Sequence, residues 1–304
     1  MRIYKLGVIG KPIRHSLSPK IHNLFAQQTG IKIDYQSYQV SPDALDIFIR
    51  DFFINGGDGL NITLPHKLAC IDSADDKSAL VKKIGAANIL IHNKDTNKII
   101  ADSTDGNGFV EDLHCKSIKL AQTNVLILGA GGAAQSIIPA IQNEEPANIF
   151  IDNRSPGKIQ PLIERFLSSG DNNEGPLSPL SDLKSFSGNN HIKKGMQLVI
   201  NTTSAGFDGP FQWDGDIYAN EKTVFYDLSY SNANGITPFL KWASQYSDQY
   251  HDGIGMLINQ AALSFEMWTG TKPDTKITAA EMLNEKRLRA LYCWRSLPIM
   301  QSTR

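Results

Sequence analysis

An asparagine, a threonine and a lysine stand close together at the end of an apolar run, Gly59-Leu60-Asn61-Ile62-Thr63-Leu64-Pro65-His66-Lys67. On a strand, Asn61 and Thr63 occupy alternate positions and face the same way. A proline ends the run, and Lys67 falls where a helix would begin. Two neutral hydrogen-bonders beside an ammonium suit a small polar substrate gripped next to a proton donor. Taken alone, Lys67 reads as a solvated lysine at a helix start.

Further polar residues recur at similar points. His15-Ser16-Leu17-Ser18-Pro19 sets two hydroxyls at alternate positions just ahead of a helix. With the free N–H groups of a helix N-terminus, they suit a carboxylate. Ser18 also reads as a plain N-cap with Pro19 at the first helical position. Ser16 has no such duty. Gly85-Ala86-Ala87-Asn88 puts an amide beside a strand start, and Ser103-Thr104-Asp105 puts a carboxylate after a strand. Asp105 reads equally as a helix cap. Tyr230 follows the end of a strand around Tyr226-Asp227-Leu228. Gln260 lies within an apolar helical face, where a buried amide needs a partner.

The elements that must position these residues alternate between strand and helix. Leu6–Ile9, Ile33–Val40 and Gly59–Leu64 read as strands. Ile21, Leu24, Phe25 and Gln28 fall at helical spacing, as do Leu45, Phe48, Ile49 and Phe52. A short helix is expected near Lys67–Asp72, and Ala87–His92 with Lys98–Ala101 predicts a hairpin. A second region opens on Asn124-Val125-Leu126-Ile127-Leu128, an apolar run suited to a parallel strand buried on both faces. Strands at Ile149–Ile151, Gln197–Ile200 and Thr223–Asp227 follow. This succession predicts an α/β protein with a doubly wound sheet. Residues 168–195, rich in Ser, Asn, Gly and Pro, break the rhythm and read as a surface loop, an insertion with no role of its own. The last fifty residues read as helices, with Thr278 and Glu281 spaced as a capping box.

Bulk properties narrow the function. The 304 residues carry a net charge of −1, so no general affinity for nucleic acid or an anionic membrane is expected. No apolar run approaches membrane-spanning length. Three scattered cysteines and no HExxH pattern argue against a disulfide scaffold or a metal site. The expected compartment is the cytoplasm.

Gly129-Ala130-Gly131-Gly132-Ala133-Ala134 fits G-x-G-x-x-G/A directly after a strand and before a helix. The first glycine permits a tight turn, the second admits a pyrophosphate, and the small third residue lets helix pack on strand. The next strand ends in Asp152-Asn153-Arg154-Ser155. Arg154, flanked by the Asn153 amide and the Ser155 hydroxyl, suits the 2′-phosphate of NADP(H). Asp152 points toward NAD, because an acid here usually grips a free ribose hydroxyl. NADP is expected if the Asp152 side chain faces elsewhere.

Taken together, these motifs resemble the shikimate/quinate dehydrogenase family. The resembling segments are Ser16–Pro19, Asn61–Lys67, Gly85–Asn88, Thr104–Gly106, Gly129–Ala134, Asn153–Ser155, Asn201–Gly206, Thr237–Leu240 and Gly253–Ala262, in family order across almost the whole chain. The resemblance implies an α/β substrate domain over 1–104, completed by C-terminal helices 254–304, and a Rossmann domain over 105–253. It implies Lys67 and Asp105 as the catalytic pair. Ser16 and Ser18 would hold a substrate carboxylate. Asn61, Thr63, Asn88, Asp105 and Gln260 would meet ring hydroxyls, and Tyr230 would line the pocket. Gly129, Ala130, Gly131, Gly132, Ala133, Asn153, Arg154, Ser155, Thr203, Leu228 and Gly253 would contact NADP(H). The implied reaction is reversible NADPH-dependent reduction of 3-dehydroshikimate to shikimate, by a monomer or homodimer. Alternatives are an enzyme that also takes quinate or NAD, and a non-catalytic NADP-binding regulator of the same fold. The chain departs from the family pattern at Ser103, Ala87, Asp152 and the long 168–195 segment.

Overall fold

A computed structural model of the chain describes residues 2–167, 177–179, 195–205, 209–214, 217–231 and 236–282. The first sheet holds β1 (Ile3–Gly10), β2 (Lys32–Gln39), β3 (Gly59–Ile62), β4 (Asp76–Lys77), β5 (Ile89–Asn93) and β6 (Lys98–Asp102), in the order β2-β1-β3-β5-β6-β4. Strands β2, β1 and β3 are parallel, whereas β5 runs antiparallel to both β3 and β6. The expected hairpin is therefore β5–β6. Between the strands lie α1 (Ser18–Thr29), α2 (Leu45–Ile54) and α3 (Ala79–Ile84). Helix α1 stops at Gly30, whose φ of +70° suits a residue without a Cβ.

The second sheet is entirely parallel. It holds β7 (Asn124–Leu128), β8 (Asn148–Asp152), β9 (Leu177–Pro179), β10 (Leu198–Asn201), β11 (Val224–Asp227) and β12 (Tyr250–His251). Its order, β12-β11-β10-β7-β8-β9, is the 3-2-1-4-5-6 arrangement of dinucleotide-binding sheets read from the other edge. Strand β7 explains why an unbroken apolar run is needed at its centre. Val125 and Ile127 enter one core while Leu126 and Leu128 enter the other, and all four are fully buried. Helices α4 (Asp105–Cys115), α5 (Gly132–Gln142), α6 (Ile159–Leu167) and α7 (Pro238–Ala243) accompany this sheet.

Three expectations need correction here. The 168–195 segment is more than a surface loop, because Leu177–Pro179 forms β9, paired to β8, with Leu177 in the core. Three residues are too short to carry a period, and a polar surround hid them; the other residues from 168 to 194 lie outside the described residues. The terminal helix starts at 275, and its cap is Asp274, whose Oδ1 accepts the N–H groups of Lys276 and Ile277. Thr278 instead lies inside the helix, with its hydroxyl accepting from Gln28 Nε2. The turn after Lys67 is a 3-10 helix, Ala69–Ser73.

Helix α8 (Ile254–Thr269) returns to the first sheet, as the C-terminal helices were expected to do. Phe265 meets Phe25 of α1 edge-on at 5.7 Å, and Ala261, Ala262 and Met282 complete that core. Residues 283–304 lie outside the described residues. Among the described residues, no helix is long and apolar enough to cross a membrane.

The joint between α4 and α8 matters most for the site, since Asp105 starts one helix and Gln260 sits in the other. A Cβ on Gly108 would stand 2.5 Å from the Gln260 backbone nitrogen, so only glycine allows this approach. Farther along α4, buried Asp112 accepts hydrogen bonds from Tyr226 Oη at 2.6 Å and from Lys116 Nζ. Burial pushes the Tyr226 phenol well above its ordinary pKa, with the Asp112 charge adding to it. Tyr226→Phe removes one hydrogen bond to a buried carboxylate and is expected to cost about 1.5–3 kcal/mol. Urea unfolding reads this as a lowered midpoint at constant slope, and an unmoved midpoint would refute it.

Candidate active site

Lys67 precedes β5 in the chain and Asp105 follows β6, and the two meet at 2.5 Å, Nζ to Oδ2. Their side chains are 16% and 6% exposed. Asp105 is the first residue of α4, and the N-cap position ahead of it belongs to Thr104. The Asp105 carboxylate turns to Lys67 and to Asn88 Nδ2, which lies 2.9 Å from Oδ1. The cap reading of Asp105 is therefore excluded, as is the solvated reading of Lys67.

Asn88 is the hub. Its amide nitrogen lies 2.9 Å from Thr104 Oγ1 and 3.0 Å from Gln260 Oε1, besides Asp105. Its oxygen accepts the Thr104 N–H at 2.7 Å. Two N–H bonds thus serve three acceptors, which fixes the amide orientation. Thr104 continues to Ser264 at 3.2 Å, one turn after Gln260 on α8. Ser264 accepts from Asn61 Nδ2 at 3.0 Å.

Asn61 is 5% exposed, and its side chain is committed to protein partners. Its oxygen accepts from Tyr35 Oη at 2.8 Å and faces His22 Nε2 at 3.2 Å. A hold on a ring hydroxyl would require one of these bonds to be exchanged. Thr63 lies just past β3 and is half-buried. Its backbone N–H donates to Ile9 and its carbonyl accepts from His66, which shapes the turn into Lys67.

His22, Tyr35, Thr104 and Ser264 escaped the sequence reading. The signal was present for two of them. His22 interrupts the apolar stripe of Ile21 and Phe25, and Ser264 follows Gln260 by one helical turn. Burial lowers the His22 imidazole to about 3, partly offset by its bond to Asn61. Since Nε2 faces an acceptor, it carries the proton in a neutral ring. The unfolded chain takes a second proton below about 6.5, which the folded chain refuses. Stability from this group is therefore complete above pH 6.5 and falls between 6.5 and 3, by at most about 1.4 kcal/mol per pH unit. The His22 Cε1 proton resonance should stay at its neutral position from pH 7 to 4.5. Titration near 6.5 would refute this.

Ser16, Ser18 and Tyr230 also come together. The expected N-cap at Ser18 is corrected: α1 begins at Ser18 with no side-chain cap, and Ser16 Oγ takes the Ser18 N–H at 3.3 Å. Proline at the second helical position leaves fewer donors for Ser18 to cap, and its side chain is buried instead beside Tyr35. Burial raises the Tyr230 phenol pKa, countered by a backbone hydrogen bond from Leu17. Segments that follow strands of both sheets thus meet here, Ser16 and Ser18 after β1 and Tyr230 after β11.

The glycine loop joins β7 to α5. Gly129 has a φ of +116°, and a Cβ there would stand 2.3 Å from Thr202 Oγ1. That contact lies between β7 and β10, where the strand order reverses. A Cβ on Gly131 would meet nothing within 4 Å, so open space precedes α5 where a pyrophosphate needs room. A Cβ on Gly132 would reach the Lys67 Cβ at 3.9 Å, which puts Lys67 beside the loop. Ala130 is buried and Ala133 half-buried. Thr203 donates from both N–H and Oγ1 to Asn201 Oδ1, and Asn201 Nδ2 donates to Asp227. Burial raises Asp227 to about 6, despite hydrogen bonds from Thr237, Ser229 and Asn201. Gly253 packs against the Leu228 carbonyl, 2.2 Å from where a Cβ would be. At the end of β8, Arg154 and Ser155 are exposed, and the Asn153 amide donates to the Ser155 carbonyl. Arg154 makes no ion pair among the described residues. This donor set, with the open space ahead of α5, fits a dinucleotide carrying a 2′-phosphate. Gly206 lies outside the described residues.

A lysine–aspartate pair set against the glycine loop of a dinucleotide sheet defines a nicotinamide-dependent oxidoreductase. Family models agree along the chain: a shikimate dehydrogenase substrate binding domain at residues 8–90, shikimate/quinate 5-dehydrogenase at 111–193, and a shikimate 5′-dehydrogenase C-terminal domain at 253–283. The NADP(+) shikimate dehydrogenase of Vesicomyosocius okutanii is 40% identical, over 90% of this chain and 97% of its own. The structure of shikimate dehydrogenase from Aquifex aeolicus superposes with a TM-score of 0.78 at 27% identity, covering 92% of this chain and 97% of that one. Shikimate 5-dehydrogenase from Thermus thermophilus, solved with NADP(H) and shikimate, gives 0.75 at 26% identity, covering 94% and 99%. The chain belongs to the shikimate dehydrogenase family.

Proposed function

We propose that this chain is an NADP-dependent oxidoreductase that reversibly reduces 3-dehydroshikimate to shikimate, within chorismate and aromatic amino-acid biosynthesis. The observation that carries this reading is the Lys67–Asp105 pair at 2.5 Å, set beside Gly132 of the nucleotide loop. Bound NADPH would supply the hydride to the ketone carbon. The chain's residues then manage position and charge. Lys67 hydrogen-bonds the ketone oxygen and gives it a proton as negative charge develops. Asp105 aims the ammonium and accepts from the neighbouring hydroxyl.

Ser16 and Ser18 seat the carboxylate, with Tyr230 closing that end. Asn88, Gln260 and Thr63 meet the ring hydroxyls, and Asn61 holds the frame behind them. Gly129–Ala133 cradle the pyrophosphate. Asn153, Arg154 and Ser155 take the 2′-phosphate, and Thr203, Leu228 and Gly253 border the rest of the cofactor. Residues 1–104 with the C-terminal helices act as the substrate unit, and 105–253 as the cofactor unit. The few free thiols support the cytoplasm as the compartment.

Initial rates at 340 nm with shikimate and with quinate, each with NADP and with NAD, test this reading. Shikimate with NADP is expected to give the highest kcat/KM. Preference for quinate or NAD would overturn the substrate or cofactor assignment. NADP binding without turnover of any pair would make the chain a non-catalytic NADP-binding protein.

A further inference from the structure

The carboxylate of Asp152 ends β8 at the place where acidic residues of NAD enzymes take the ribose 2′-hydroxyl. Its carbonyl accepts the Gly129 N–H at 2.7 Å, so it adjoins the nucleotide turn directly. An unrestrained carboxylate here would repel a 2′-phosphate and compete for Arg154. The carboxylate is restrained. Oδ2 accepts from Trp213 Nε1 at 2.9 Å, and Oδ1 accepts the Asn153 N–H at 2.8 Å.

Trp213 is well anchored for this task. Its ring lies parallel to Phe211, with 6.0 Å between centroids and 5° between planes. Phe211 is buried against Phe239 at 5.0 Å and Trp242 at 5.1 Å. An aromatic cluster on the far face of the sheet thus holds the indole, and the indole holds the acid.

We infer that Trp213 sets cofactor choice: by holding the Asp152 carboxylate off the ribose position, it leaves Arg154 free for a 2′-phosphate in a chain whose strand otherwise ends like that of an NAD enzyme. Trp213 is a positioning residue, acting through Asp152. The inference rests on the NADP reading above and adds the residue that permits it.

Calorimetric affinities for 2′,5′-ADP and 5′-AMP isolate the 2′-phosphate without any turnover. The wild-type chain is expected to favour 2′,5′-ADP. Trp213→Phe keeps the ring on Phe211 and removes only the N–H donor. It should weaken 2′,5′-ADP by about tenfold or more, with 5′-AMP unchanged or tighter. Asp152→Asn alone should keep the wild-type preference, and adding it to Trp213→Phe should restore 2′,5′-ADP binding. The NADP to NAD ratio of kcat/KM should move in parallel. If both probes weaken equally in Trp213→Phe, or the double variant is not rescued, Trp213 is merely structural and the inference fails. A wild-type chain that prefers 5′-AMP would overturn the NADP reading itself. A preference for 2′,5′-ADP that survives Trp213→Phe would overturn this inference alone.

Discussion

Replacing Lys67 with alanine is expected to lower kcat by about 10²–10⁴-fold, while the KM for shikimate changes little. In the proposed reaction the ammonium would protonate the ketone oxygen, and a methyl side chain in its place offers neither the proton nor the positive charge. On the proposed roles, binding would rest on the seryl hydroxyls, Asn88 and Gln260, so the loss would belong to the transition state. Asp105 then keeps only its Asn88 contact, which destabilises a carboxylate that is nearly buried. A companion Lys67→Met variant preserves the aliphatic stem and separates lost packing from lost chemistry. Absorbance at 340 nm under saturating substrate gives kcat directly. Near-normal turnover in either variant would end the proton-donor role.

For Asp105→Asn we expect kcat to fall by about 10²–10³-fold and KM for shikimate to rise as well. Two donors converge on this carboxylate, Lys67 Nζ at 2.5 Å and Asn88 Nδ2 at 2.9 Å. An asparagine must turn its NH2 toward one of them, so one donor loses its acceptor. Lys67 is then no longer held by a charged partner, and in the proposed complex a ring hydroxyl would lose its anionic acceptor. Because the two residues act as a unit, the double variant should be hardly worse than the poorer single one. Fully additive losses would mean that Lys67 and Asp105 act independently.

The sheet elements were legible because their signals are local. Short apolar runs, helical spacing and proline at a helix start depend on neighbours a few residues away. The cap assignments at Ser18 and Thr278 failed for a related reason. A hydroxyl chooses among acceptors and donors that only packing supplies, and Ser16, Asp274 and Gln28 took the bonds. Strand β9 was missed because three residues with a polar surround carry no pattern, and its place is set by pairing to β8.

The site divides in the same way. Its motifs were visible singly, and their common order along the chain was enough for the family. Their mutual geometry was not, because Asn88 and Gln260 are joined across 172 residues and Asn61 and Ser264 across 203. Those distances close only when α8 packs back on α1 through Phe265 and Phe25. By itself the sequence determined the α/β class, the glycine turn, the lysine and the aspartate, since each is written in adjacent residues. Tertiary structure alone decided that Lys67 meets Asp105, that Asn61 spends its amide on His22, Tyr35 and Ser264, and that Trp213 takes Asp152. A buried polar group must find a partner, and that partner is whichever group the packed elements bring within about 3 Å.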